Sequence, residues 1–252
     1  MKTTPRIIGF ILFFAWMTSQ GIAAIIVDFD MGGSTVNSAN PLAPSTVAAN
    51  VSVSNLTTVG LGASNSLVDV YARDGWNSGS TVNPNNFYYT FTITPDPGFQ
   101  VEFSSVGEFA LKREFTNGAQ NYEIRASKTG DFSTPGQFIT VRNGDEWPSG
   151  DGSGLYVAGS LGSALSGLGT ITNATPAEVR YYFFNDNGGG GFAGLSSEAI
   201  LSGRTNNFEG TVSAIPEPST YALILSGVIA FAAIFARKKL INRTTVPSLQ
   251  HR

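Results

Sequence analysis

The chain contains no cysteine, and its single histidine, His251, is the penultimate residue of 252. The first absence removes disulfides, thiolate nucleophiles and thiolate metal sites together. The second removes a Ser-His-Asp triad or a histidine-built zinc site within one chain. Charged residues make up only 13% of the sequence, and no long amphipathic helical pattern occurs. Gly alone fills 29 positions, and with abundant Ser, Thr and Asn this suits short strands joined by many turns.

The low charge is unevenly placed. Residues 24–215 carry 17 acids against 8 bases, whereas residues 1–23 hold two bases and no acid, and residues 216–252 hold five bases and one acid. An acidic body argues against a nucleic-acid partner, because phosphate binding needs cations clustered on the folded surface. The basic ends suit membranes.

Residues 1–23 have the three parts of a secretory signal: Lys2 and Arg6, an apolar run from Ile7 to Met17, then small residues with Gly21 and Ala23 at signal-peptidase spacing. Cleavage is expected after Ala23 or Ala24. Near the other end, Ser219 to Ala236 contains no charge. As a helix its 18 residues reach roughly 27 Å, against a hydrocarbon core of ~30 Å. Pro216 and Pro218 cannot supply helix-interior bonds, so the helix is expected to start after them, with Ser219 or Thr220 as its cap. Arg237, Lys238 and Lys239 stop it and stay cytoplasmic. That places residues 24–213 outside, on the side to which the leader delivers them, and leaves 240–252 as a cytoplasmic tail.

The order Pro216-Glu217-Pro218-Ser219-Thr220, Tyr221-Ala222-Leu223, apolar helix, then Arg237-Lys238-Lys239 resembles the PEP-CTERM sorting signal. The resemblance covers residues 214–239. It implies an exosortase as processing partner beside signal peptidase, passage through the inner membrane, and delivery toward the surface or exopolysaccharide of a Gram-negative bacterium. The family usually ends soon after its basic cluster, whereas 13 residues follow here.

Between the two ends, an all-β antiparallel sandwich is expected, as a single domain over residues 24–213. In "FYYTFTITPDPGFQVEF", Phe87, Tyr89, Phe91 and Ile93 alternate with Tyr88, Thr90, Thr92 and Thr94, the period of a half-buried strand. Pro95 to Gly98 read as the turn of a hairpin, and Phe99, Val101 and Phe103 resume the alternation. Further strands are expected at Ile25–Phe29, Val47–Val53, Leu67–Ala72, Glu108–Phe115, Tyr122–Ser127, Gln137–Arg142, Val179–Phe184 and Phe208–Val212, about ten in all at sandwich spacing. Tyr88 to Phe132 also resembles the jelly-roll-like ectodomains that often precede this sorting signal.

Two low-complexity stretches, Gly159–Thr170 and Asn185–Gly194, read as flexible loops. Neither has the strand, helix and Lys that a phosphate-cradling loop requires. The loop Arg142–Gly154 sets Asp145, Glu146 and Asp151 among glycines beside Trp147, which admits two readings. One is a ligand site, with the acids on a structural calcium and the Trp, or Trp76, against a sugar ring. The other is a solvated loop that Trp147 pins to the sandwich, and the spacing favours it. Asp28 and Asp30 share a face of the first strand, as ligands or as its polar side. Arg113 and Arg125 lie among aromatics, where a structural partner is expected. A glycosidase needs two acids about 5–10 Å apart, and seventeen acids select no pair. The expected role is therefore a non-enzymatic surface or matrix protein without cofactor; the alternatives are a carbohydrate-binding module and, behind it, a polysaccharide-active enzyme.

Overall fold

A computed structural model describes residues 23–32, 41–62, 69–104, 107–114, 118–144, 147, 149–150, 154–161, 164–186, 191–197, 205–217 and 225–235. The leader up to residue 22, Asp145, Glu146, Asp151, Pro218, Ser219, Thr220, Arg237, Lys238, Lys239 and the tail lie outside the described residues.

Each expected segment contributes strand residues, though not always over its full length. In chain order the strands are β1 (Ala24–Phe29), β2 (Thr46–Val47), β3 (Val51–Val53), β4 (Thr57–Val59), β5 (Val70–Arg73), β6 (Tyr88–Pro95), β7 (Phe99–Phe103) and β8 (Glu108–Arg113). They continue with β9 (Ala119–Ser127), β10 (Ile139–Gly144), β11 (Ser149–Gly150), β12 (Leu155–Ser160), β13 (Ile171–Thr172), β14 (Ala177–Asp186), β15 (Ala193–Ser196) and β16 (Asn206–Ala214). Two antiparallel sheets result. The larger runs β11-β12-β8-β16-β1-β2, with β7 and β13 branching from β16 and β15 and β5 from β8. The smaller runs β10-β9-β14-β6-β3, with β4 also on β6.

The sheets face each other through aromatic rings. Phe91 of the smaller sheet meets Phe29 and Phe208 of the larger at 4.8 and 5.4 Å between centroids. Trp76 packs on Tyr89 and Phe183 at 5.2 and 4.7 Å. Phe29, Phe91, Phe109, Phe183, Phe208, Tyr89 and Tyr181 are all fully buried. With no disulfide to add, apolar burial at ~25 cal/mol per Å² and edge-to-face ring contacts are what hold the sandwich together.

Three expectations are corrected. The Tyr88–Phe103 segment is not a hairpin: β6 pairs with β14, β3 and β4, while β7 pairs with β16 and β13 in the other sheet. Pro95–Gly98 is therefore a corner at which the chain changes sheets, with Gly98 at φ +84°. The segment Val47–Val53 is broken in two by Asn50 at φ +62°, a left-handed turn that a continuous strand excludes. The two low-complexity stretches are not loops throughout. The first sinks Leu161, Leu165 and Leu168 into the core around a 3-10 turn at Leu165–Leu168. The second ends in β15, whose four residues are all buried between β5 and β8.

Candidate functional site

The outward face of the smaller sheet carries two ion pairs, Arg125–Glu123 and Arg180–Glu178. Residues of one face recur at every second position, so Glu123 and Arg125 of β9 share it with Glu178, Arg180 and Tyr182 of β14 and with Tyr88 and Thr90 of β6. The register sets Thr140, Arg125, Arg180, Thr90 and Thr57 side by side across five strands.

Within this row the same arrangement occurs twice. Arg180 Nε donates to Glu178 Oε1 at 2.6 Å, and Thr90 Oγ1 donates to the same oxygen at 2.9 Å. Arg125 Nε donates to Glu123 Oε1 at 2.7 Å, and Thr140 Oγ1 donates to that oxygen at 2.9 Å. Both guanidinium groups lie on rings: Arg180 against Phe132 and Tyr88 at 4.0 and 4.2 Å, Arg125 against Phe138 and Tyr182 at 4.3 and 5.4 Å. Their Nη1 atoms reach out of the sheet, Arg180 to the Pro84 carbonyl at 2.7 Å and Arg125 to the Phe132 carbonyl at 3.0 Å. Burial alone pulls the Arg180 guanidinium down, but its bonds to Glu178 and Tyr182 carry it above its ordinary value. Burial pushes the Tyr182 phenol up to about 12. Charge-assisted bonds and ring contacts of this kind fasten loops to a sheet. The row is a clasp that holds the Pro84 and Phe132 loops down. Arg125 thus finds the structural partner expected for it.

Trp147, Trp76 and Arg113 fall in the interior. Trp147, a candidate sugar platform in one reading, is only 8% exposed. Its Nε1 donates to the Gln120 carbonyl at 3.1 Å, and its ring meets Tyr122 at 5.6 Å and the Arg113 guanidinium at 5.3 Å. The ring faces are occupied by protein, so Trp147 pins its loop. Trp76 is likewise buried, with Nε1 donating to the Arg73 carbonyl at 2.7 Å. Arg113 donates through Nη1 to the Ala119 carbonyl at 3.1 Å, leaves a buried Nε without a partner, and is pulled below its ordinary value by burial.

Asp28 and Asp30 separate in role. Asp30 closes a tight turn, its Oδ1 accepting the Gly32 N–H at 2.7 Å. Asp28 is half-buried; burial raises its carboxyl, against hydroxyl bonds from Thr205 and Ser45 that lower it. Its Oδ1 and the Tyr181 hydroxyl are both buried without a hydrogen-bond partner. Among the described residues no group of three or more His, Cys, Asp or Glu converges on a point that would hold a metal.

At the chain exits, Ala23 and Ala24 are exposed, and Ala24 opens β1 opposite Gly210 of β16. β16 leads straight into Pro216 and Glu217, both exposed. Residues 225–235 form a helix in which Leu225, Val228, Ile229, Phe231, Ile234 and Phe235 are 59–67% exposed. No helix among the described residues is long and apolar enough to cross a membrane.

The fold and its faces define an antiparallel β-sandwich with an apolar helical appendage. No family model matches the sequence, and no curated protein matches it. Among solved structures the chain is similar to the K2 cleaved adhesin domain of Lys-gingipain, with a TM-score of 0.27 and 11% identity over 73% of this chain and 97% of that one.

The paired Glu-x-Arg segments, Glu123-Ile-Arg125 and Glu178-Val-Arg180, escape the sequence reading as a site. Their signal was the period of two, which puts each carboxylate beside its own arginine on one face.

Proposed function

We propose that the chain is an exported, non-enzymatic β-sandwich of jelly-roll-like type. On this reading a PEP-CTERM signal holds it at the inner membrane until an exosortase passes it to the cell surface or an exopolysaccharide-rich matrix. One observation carries the reading: among the described residues, the apolar side chains of helix 225–235 are the large hydrophobic groups most exposed to water, at 59–67%, while most described aromatics of the body are buried. Leaving a Leu, Ile, Val or Phe in water rather than burying it costs about 1.5–3 kcal/mol. Six of them together make an apolar environment the stable place for this helix.

Three further features support the same destination. The described helix is the middle of an uncharged run from residue 219 to 236, flanked by Pro216 and Pro218 on one side and Arg237, Lys238 and Lys239 on the other. The leader-like residues 1–23 end where β1 begins. On the outward face Glu123 and Glu178 bind Arg125 and Arg180 and not a free ligand group, which favours a structural or adhesive body over a carbohydrate-binding or polysaccharide-active one.

The test is expression of the full chain in a Gram-negative host, followed by carbonate extraction of membranes. The chain is expected in the extracted pellet, and a chain ending at Glu217 is expected exported and soluble. Equal release of both by carbonate contradicts the reading.

A further inference from the structure

We propose that the open flank of β16, at Val212–Ala214, pairs antiparallel with the same flank of a second copy and so joins two sandwiches through one continued sheet. One flank of β16 is only half covered. Asn206–Gly210 run against β1, whereas Gly210–Ala214 have β7 on the opposite flank. β1 begins at Ala24, across from Gly210, and Ala23 before it is exposed and outside any strand. Past Gly210 the β1 flank therefore has no strand beside it among the described residues.

The backbone on that flank is available for pairing. The Ser104 N–H donates to the Glu209 carbonyl at 2.9 Å and the Ile215 N–H to the Gly98 carbonyl at 2.8 Å, so odd-numbered residues of β16 turn their backbone groups toward β7. Antiparallel ladders alternate, and the even-numbered ones turn the other way: Gly210 to Ala24, Val212 and Ala214 to no described strand. Such an edge is a template for another strand unless charge, proline or a kink blunts it. Thr211–Ala214 contain neither a charged residue nor a proline. Several other edges are blunted: β2, β11 and β13 have two residues each, and β10 carries Arg142 and a register shift between Thr140 and Arg142.

A second copy fits because the flank is its own complement. With Ser213 opposite the partner's Ser213 on a two-fold axis, Val212 and the partner's Ala214 exchange N–H···O=C bonds, and the axis repeats the pair. The side chains agree. Phe208 faces the core, where it meets Phe91, so odd-numbered residues of β16 face outward and Ile215 follows them. Ile25 pairs with Glu209 and shares that outward face. Both isoleucines are exposed, Ile25 at 40% and Ile215 at 39%. In the paired register the partner's Ile215 stands opposite Thr211, two positions from Ile25 and so about 7 Å away along the same line. Each such contact covers apolar surface that a lone copy leaves in water. The partner's Pro216, with no N–H to donate, ends the added strand where β1 begins. A pair this small is weak in free solution and is favoured where copies crowd on one surface.

The chain has no cysteine, so one introduced thiol reports on one place. Residues directly opposed outside the hydrogen-bonded pairs have Cα atoms about 4.5 Å apart, within the span of a disulfide. Ser213→Cys in the full chain, in detergent micelles under mild copper oxidation, is expected to give a disulfide-linked dimer on a non-reducing gel. Ser133→Cys, exposed in the loop between β9 and β10, controls for association through the helix and is expected to stay monomeric. Two substitutions are then added separately to Ser213→Cys. Ala214→Pro deletes a donor that meets no described strand of its own copy, and Ile25→Lys, beside Glu209, removes the apolar contact. Each is expected to bring the dimer down to the Ser133→Cys level without lowering the body's Tm; if Ala214→Pro does lower it, Ile25→Lys decides. A Ser213→Cys dimer no stronger than that of Ser133→Cys, or one that both added substitutions leave unchanged, overturns the inference. The pairing rests on the sheet and not on the sorting reading, so release of the chain by carbonate overturns that reading and leaves the pairing standing.

Discussion

Arg180 of β14 and Arg125 of β9 stand directly opposite each other in register, two like charges on neighbouring strands. Directly opposed like charges destabilise a sheet. The fold offsets this by giving each arginine the Glu two residues before it, at 2.6 and 2.7 Å, with 12–24% of these four side chains exposed.

Glu178→Gln removes one of the two compensating charges and leaves the Arg pair facing each other. We expect a loss of about 1–2 kcal/mol, or roughly 3–6 °C in Tm for a domain of this size. The loss should shrink at about 0.5 M salt, because the exposed part of the repulsion is screened. Thermal melts at low and high salt check both; an unchanged Tm would show that the pair carries no energy.

Asp28 sets a pH dependence. Its folded carboxyl is raised above its ordinary value, chiefly by burial. The folded state therefore binds a proton more tightly than the unfolded one. The associated stability is fully present below the unfolded pKa and is lost as pH rises through the raised folded one. Asp28→Asn abolishes that component. An Asn also removes the charge that burial penalises at this position, so a gain of about 1 kcal/mol is expected at pH 7. Melts of both proteins from pH 3.5 to 7 give the comparison, and parallel curves would refute the assignment.

Gly194 tests the burial of β15. A Cβ there would run into the Tyr71 carbonyl oxygen and the Ala72 Cα, both backbone atoms of β5. Gly194→Ala should cost about 3 kcal/mol or more. Denaturant midpoints measure it, and a near-neutral effect would mean that this segment is a loop after all.

That glycine also marks where the sequence stopped being legible. The β6 alternation could be read because one face meets the core and the other does not, and the structure follows it from Tyr88 to Pro95. Phe91 and Ile93 give the same signal as core residues. The corner at Pro95–Gly98 could not be told from a hairpin, because turn chemistry is local while the choice of sheet depends on β16 and β13, which lie more than 60 residues further on. Gly194 reads as loop composition, although the missing Cβ is what lets β15 approach β5. Trp147 was legible as a pin, because a ring beside glycines gives an otherwise weakly held loop an anchor. The Arg–Glu clasp could be seen only by combining the period of two with a register that the sequence does not display.

Trp147→Ala separates pinning from sugar binding. Removal of a buried Trp costs about 3–5 kcal/mol, so Tm should fall steeply. Retention of the folded variant on polysaccharide columns should match wild type. Reduced retention with an unchanged Tm would restore the ring to a binding role.

Phe231→Arg places a charge in the centre of the apolar helix, where insertion is expected to worsen by about 2.5–3.5 kcal/mol. Carbonate extraction should then release a larger share of the chain than it does for wild type, while the body's melting curve stays the same. No change in release would contradict a lipid-facing helix.

The most direct test of an exported, membrane-sorted body is cell fractionation combined with mass spectrometry of both mature ends in the native host. The account predicts an N-terminus at Ala24 or Ile25, with the sandwich outside the cytoplasm, in the membrane, on the surface or in the matrix. A full-length chain with both ends intact, dissolved in the cytosol, would contradict it.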